Sequence, residues 1–235
     1  MVTALSVPPP EMAGPEGKAP VWCDWAAISR KRLHDYPYTW GLIDEVFPDR
    51  RVLDRLESEF PDAGFRLTER PSAKLGAKGY RSHNLPLVQA GVPVPDKVRQ
   101  LTPLWTAFVS ELRSPVYRRA VAALTGRRLD RCTLEIRAVR YGPGSWIDPH
   151  TDRTDKVVTQ IWYFNSSWPP RRAGVLRILR SASVHDVAAE VRPRLGASVV
   201  LVPSDRSWHA VTPVADDSPE DRRTLLVHFV AGEAK

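Results

Sequence analysis

Cysteine is scarce: Cys23 and Cys132 are the only two in 235 residues. Two thiols cannot build a disulfide framework or a thiolate zinc site. Lysine is scarce as well, seven of the 34 basic residues, so arginine carries most of the net charge of +7. The arginines are scattered rather than clustered, and no aromatic-plus-basic RNA motif appears, which argues against nucleic acid as a partner. A GC-rich coding sequence accounts for the arginine bias, although the positive field also suits an anionic small molecule. No apolar run reaches the length of a membrane span, and the first residues lack a basic segment followed by an apolar one. Membrane and disulfide-scaffold classes are thereby set aside. The expectation is a cytoplasmic protein with reduced thiols.

What is present is ordinary for a globular chain, 43% hydrophobic and 26% charged. Residues 1–20 hold five prolines and few large apolar side chains, the composition of a disordered tail. The rest, 21–235, is expected to form a single domain, with helical support over 40–126 and a barrel over 130–230. Pro48 is expected to open a helix, because Val52, Leu53, Leu56 and Phe60 recur at helical spacing. In "TPLWTAFVSEL" Thr102 is the candidate N-cap and Pro103 the first helical residue. "SPVYRRAVAALTG" repeats the device, with Ser114 as cap, Pro115 next and Gly126 as the stop. Between the first two helices, 64–93 reads as loops and short strands.

After residue 130 the period changes to two. In "CTLEIRAVRY" Cys132, Leu134, Ile136 and Ala138 alternate with mostly polar residues. Further strands are expected at 157–164, 174–179, 196–203 and 223–230. Short strands at this spacing, divided by Pro, Gly and Ser, indicate a mainly β fold with flanking helices (α+β). The architecture implied is a double-stranded β-helix, a jelly-roll barrel covered by the N-terminal helices.

Within "WIDPHTDRTDKV" His150 and Asp152 stand two apart, so in extended chain both project to one side. A catalytic ferrous site takes two His and one carboxylate on one face and leaves the other face open. The third ligand must come from downstream, from His185, His209 or His228. His185 lies in a polar stretch that reads as a surface connection, and His228 lies inside the last strand. His209 follows the strand 196–203, where a barrel rim brings it opposite His150, and is favoured. Such a site that uses 2-oxoglutarate also needs a cation for the distal carboxylate, a task suited to the arginine fork. In "DRRTLLVHF" alternation puts Arg222 with Thr224, Leu226 and His228 on the barrel face. Arg223 falls with Leu225, Val227 and Phe229, and is expected to be solvated at the strand start.

These segments together resemble the Fe(II)/2-oxoglutarate-dependent dioxygenases of the prolyl-4-hydroxylase type, most closely the HIF-type prolyl hydroxylase catalytic domains. The resemblance covers about 132–230: "YGPGSWIDPHTD", "TQIWYFNSSW", "AGVLRIL", "PSDRSWHAVTPV" and "RRTLLVHF" are each similar to a family segment. It implies Fe(II) held by His150, Asp152 and His209, and 2-oxoglutarate held by Arg222 with Tyr163 donating a second hydrogen bond. Tyr141 would stand near both, O2 would be the co-substrate, and ascorbate a supporting reductant. Ala173 replaces the first Gly of the family's Gly-Gly pair, and His228 stands where the family has Trp. Because Asp152 is present, the resemblance implies hydroxylation rather than halogenation. Candidate substrate contacts around the mouth are Arg137, Glu135, Trp146, Arg153, Trp208 and His228, each of which could equally be a rim or core residue. The substrate expected is a small, amino-acid-derived biosynthetic intermediate. A prolyl residue in a protein is the alternative, and an inactive metal-binding barrel serving as an interaction module is the alternative outside enzymes.

Overall fold

The computed structural model describes residues 23–44, 46–71 and 78–232, so the stretch expected as a disordered tail lies outside the described residues. The first half holds α1 (Trp25–Arg30), β1 (Trp40–Ile43), α2 (Arg50–Ser58), β2 (Arg66–Arg70), β3 (Tyr80–Gln89) and β4 (Val92–Pro93). Three helices follow, α3 (Pro95–Val98), α4 (Pro103–Leu112) and α5 (Pro115–Thr125). Then come β5 (Cys132–Tyr141), β6 (Ile147–His150), β7 (Lys156–Tyr163), β8 (Leu176–Leu179) and β9 (Val187–Val191). The chain ends with β10 (Ser198–Leu201), β11 (His209–Val211) and β12 (Arg222–Ala231).

The helix ends follow from local chemistry. Thr102 and Ser114 accept hydrogen bonds from the amides of Trp105 and Tyr117, and a proline follows each cap. Gly126 closes α5 at φ 67°, a left-handed stop that costs glycine no Cβ clash. Pro48 does not open α2. Asp49 caps it instead, its carboxylate taking the Arg51 amide, and Phe60 lies past the end, buried in the core.

All the strands pair antiparallel, in the order β1-β10-β7-β12-β5-β3-β6-β11-β8-β9, with β2 and β4 paired to β3. The sheet folds over into a nearly closed, jelly-roll-like barrel, as the two-residue period implies. Alternation sorts the side chains into two cores. Leu134 and Ile136 of β5, Val158 and Trp162 of β7, and Leu225, Val227 and Phe229 of β12 pack outward against Trp105 and Phe108 of α4 and Tyr117 of α5. The opposite faces of these strands send Val139, Tyr141, Ile161, Tyr163 and Leu226 into the barrel with Leu176, Val199 and Val211. Each fully buried Phe or Leu here contributes roughly 2 kcal/mol. One buried polar crossing between α5 and the sheet is satisfied: the Tyr117 hydroxyl donates to Gln160 at 2.7 Å, and Gln160 donates to Ser198 at 2.8 Å.

β2, β3 and β4 fall within 64–93, where short strands are expected, but the helical reading of the rest of 40–126 needs correction, since β1 lies within it. β3 is ten residues long and sits centrally, between β5 and β6. Its register with β5 shifts between Pro86 and Val88, which breaks the strict alternation that marks a strand in sequence. Arg223 is likewise not left in solvent. It is half-buried, its guanidinium lies 6.0 Å over the Phe60 ring, and it donates to the Glu57 carbonyl of α2.

Candidate metal and co-substrate site

β6 and β11 are adjacent, and their register sets His150 directly opposite His209. The two rings lie 4.2 Å apart between centroids. Asp152 follows β6 by two residues, and ligand atoms of His150, Asp152 and His209 all lie within 4.8 Å of one another. Each histidine holds its Nδ1 at 2.9 Å from a backbone carbonyl two residues back, Asp148 for His150 and Ser207 for His209. An Nδ1–H donated to that carbonyl leaves Nε2 as a bare lone pair, which is the tautomer a metal takes.

Asp152 is held from two sides. The Lys156 ammonium donates to one oxygen at 2.6 Å, and the Thr159 hydroxyl donates to the other at 2.8 Å. Burial alone would raise this carboxyl, but His209 and His228, charged once the pH is low enough to protonate them, and the Lys156 ammonium outweigh it and hold it well below the usual carboxylate range. Burial keeps both His150 and His209 below the ordinary histidine range, and Asp152 partly offsets this. The cluster is therefore an ionised carboxylate beside two neutral imidazoles. Each carboxylate oxygen retains a lone pair after its one hydrogen bond. This donor set fits a divalent metal with one face left open.

Thr159 also bonds His228, Oγ1 to Nδ1 at 2.9 Å. The hydroxyl proton is already given to Asp152, so His228 must donate through Nδ1. Its Nε2 is buried with no partner and lines the same chamber.

Arg222, the first residue of β12, lines the same chamber and is 1% exposed. Its guanidinium lies between two phenol rings, 4.8 Å from the Tyr141 centroid and 5.2 Å from that of Tyr163. Arg222 Nε and Nη2 have no hydrogen-bond partner, nor has the buried Tyr163 hydroxyl. Nε–H and Nη2–H form the side-on fork of a guanidinium, shaped for one carboxylate. Burial raises the Tyr141 and Tyr163 phenols, against the pull of the Arg222 charge, so both remain protonated donors. A buried fork and a buried hydroxyl left unsatisfied together are costly unless a ligand completes them. Gly174, at φ 60°, keeps this corner open: a Cβ there would meet Val214 at 2.9 Å and Trp168 at 3.3 Å.

A small inner cavity of about 60 Å³ joins the parts, lined by His150, Asp152, His209, Arg222, Tyr141 and His228 among others. It opens into an outer cleft of about 490 Å³, with which it shares Lys78, Arg137, Tyr141, Ile147, Asp152, Lys156 and Leu226. Even-numbered residues of β2 and β3, from Arg66 to Pro86, form the outer wall.

The structure brings His150, Asp152, His209, Arg222 and Tyr141 around one chamber, with Tyr163 packed on Arg222. His185 is exposed in a turn, away from it. Of the candidate substrate contacts, Arg137 and Arg153 line the outer cleft and His228 the inner chamber. Trp146 and Trp208 line neither cavity. Trp146 instead donates to Asp148 at 3.0 Å, and the other oxygen of Asp148 accepts from the Gly79 amide. Glu135 is an ion-pair partner of Arg153 at 3.2 Å rather than part of the lining. Sequence reasoning missed Lys78, Lys156 and Thr159. Alternation back from Tyr163 through Ile161 would have reached Thr159, whereas Lys78 lies outside any strand and carries no periodic signal.

Residues 136–230 match the family model described as the 2OG-Fe(II) oxygenase superfamily. No curated protein matches the chain in sequence. Among solved structures, a Pseudomonas putida prolyl-4-hydroxylase shares 20% identity at a TM-score of 0.52, over 81% of this chain and 92% of its own. A Trichoplax adhaerens prolyl hydroxylase, solved with a hypoxia inducible factor peptide fragment, shares 13% identity at a TM-score of 0.54, over 81% and 83%. HygX from Streptomyces hygroscopicus, solved with nickel, 2-oxoglutarate and hygromycin B, shares 12% identity at a TM-score of 0.53, over 83% of each chain. These likenesses establish the fold.

Proposed function

From the premise that residues 136–230 are a 2OG-Fe(II) oxygenase domain, an oxidoreductase module working with Fe(II) and 2-oxoglutarate, we propose that the protein hydroxylates an unactivated C–H bond of a small molecule. In this proposal His150, Asp152 and His209 hold the iron. The metal and 2-oxoglutarate supply the oxidising chemistry with O2, yielding succinate and CO2. The observation that carries the proposal is the unsatisfied fork of Arg222, packed on Tyr163 with its unsatisfied hydroxyl, in the same chamber that the His-Asp-His cluster lines. A barrel serving only as an interaction module has no use for a buried, unpaired carboxylate receptor.

The chain's own residues have distinct tasks. Arg222 and Tyr163 grip the distal carboxylate of the co-substrate, which orients its other end toward the histidines. Lys156 and Thr159 hold Asp152 ionised and in one rotamer, so that the cluster is organised before the metal arrives. Leu176, Val211, Ile161 and Leu226 line the chamber with apolar surface, excluding water from the reacting face.

A small substrate, amino-acid-derived and from a biosynthetic route, is favoured over a protein by the modest outer cleft. HygX, which has this fold, was solved with hygromycin B bound, and that supports the small-molecule reading. Likeness to prolyl hydroxylases supports the second reading, a prolyl residue in a peptide. A mass-spectrometric screen of small metabolites and proline-containing peptides separates them. The expected result is a small product about 16 Da heavier, one added oxygen, formed only with iron and 2-oxoglutarate. Hydroxylation confined to peptides would overturn the small-molecule assignment.

A further inference from the structure

The outer cleft has an unbalanced charge. Arg66, Lys78, Arg137, Arg153 and Lys156 line it against a single carboxylate, Asp152. Two of the five have partners: Lys156 sits on Asp152 at 2.6 Å, and Arg153 on Asp155 and Glu135 at 3.0 and 3.2 Å. Arg66, Lys78 and Arg137 make no ion pair with any described residue. Arg66 is exposed, and water can serve it. Lys78 and Arg137 are half-buried, and the Arg137 Nε–H is fully buried with no acceptor. Crowding shows in Lys78, whose ammonium is pushed down to about 8 by burial first and then by Lys156, Arg137 and Arg153, with Asp152 only partly offsetting them. Two sheltered cations side by side, one with an orphaned donor, are unfavourable until an anion joins them.

Neither belongs to the 2-oxoglutarate receptor in its own right. Arg222 lines the inner chamber and not the outer cleft, whereas Lys78 and Arg137 line both and stand at the opening between them. Their positions are fixed by different parts of the fold. Arg137 projects from the middle of β5, its Cα paired with Leu226 and Pro86. Lys78 precedes β3, next to Gly79, whose amide is tied to Asp148.

Building on the oxygenase reading, we infer that Lys78 and Arg137 form an anion subsite for the substrate, which carries a carboxylate or phosphate group. The group would be gripped at the opening, with the rest of the molecule directed into the chamber toward His150 and His209. Arginine supplies a directional donor there, and lysine a mobile point charge. Arg66 and Arg153 at the rim draw the same anion in from solvent. The subsite discriminates against polyamines and other cationic substrates, for which the cleft has no free carboxylate among the described residues.

The test uses the full chain, loaded with redox-inert Zn(II) and 2-oxoglutarate, with arginine Nε–H signals followed by NMR. Inorganic phosphate and acetate are the probes. Arg137 is expected to shift saturably with at least one of them, while Arg222, already covered by 2-oxoglutarate, stays still. In Lys78→Gln the affinity should fall by about fivefold or more, the loss of one charge-assisted contact. Preference for phosphate would assign a phosphorylated substrate, and equal or better binding of acetate a carboxylic acid. An Arg137 signal indifferent to both anions, or unchanged affinity in Lys78→Gln, would overturn the subsite. Failure of Arg222 to respond when 2-oxoglutarate is first added would count against the oxygenase reading alone, because the Arg137 titration is read independently.

Discussion

At the scale of single residues, the proposed site divides into groups that would touch the metal or co-substrate and groups that hold them. His150→Ala and Asp152→Ala would each remove a proposed ligand, and succinate formation should be abolished in both; turnover near the wild-type rate in either would exclude the cluster. Arg222→Lys keeps the charge but replaces the side-on fork by a point donor. The Kd for 2-oxoglutarate should rise by about tenfold or more while metal affinity holds, a split that calorimetry on the metal-loaded protein resolves. Thr159 touches neither ligand, yet its hydroxyl is the bond that fixes one oxygen of Asp152. Thr159→Val removes that bond with little change of volume, so metal affinity should fall on the order of tenfold or more. An unchanged affinity would leave Lys156 as the sole support of the carboxylate.

At the scale of elements, the parts legible in the sequence are those governed by local rules. The caps Thr102 and Ser114, the stop at Gly126, the run of β5 and the facing of β12 all follow from nearest neighbours and alternation. That same alternation puts Arg222 and Arg223 on opposite faces of β12, one packed on the barrel and the other on the helices, although it leaves Arg223 in solvent where the structure half-buries it. What stayed hidden depends on pairing across the fold. β3 was obscured by its bulge near Pro86, and Lys78 is drawn to the chamber by the Gly79–Asp148 tie, which no spacing announces. Trp146 neighbours the cluster in sequence, but its indole is spent on Asp148. Ala173 is a local departure with a testable consequence. It sits at φ 49° and ψ −130°, a region that favours glycine, just where the resembling family carries Gly. Ala173→Gly should therefore stabilise the protein by about 1 kcal/mol, raising Tm by roughly 2–4 °C in thermal unfolding; destabilisation would mean the conformation is not strained for alanine.

At the scale of the whole molecule, the barrel buries three histidines, His150, His209 and His228, and burial lowers the pKa of each. In the unfolded chain they titrate near the ordinary value of 6.5. As pH falls below that value the unfolded state takes up protons that the folded state refuses, so stability falls with pH. Asp152, held low, adds a loss of the same sign at more acidic pH, below its ordinary value of 3.8. The Tm of the metal-free protein should therefore drop between pH 7.5 and 5.5, over the histidine range; a flat profile would show that the histidines are not held neutral. The central claim, that one chamber joins an iron cluster to a carboxylate receptor, is tested most directly by anaerobic addition of Fe(II) and then 2-oxoglutarate. A weak visible charge-transfer band should develop only when both are present, and it should be lost in His209→Ala and need far more 2-oxoglutarate in Arg222→Lys. A wild-type protein that stays colourless with both, or a band indifferent to these two substitutions, would contradict it.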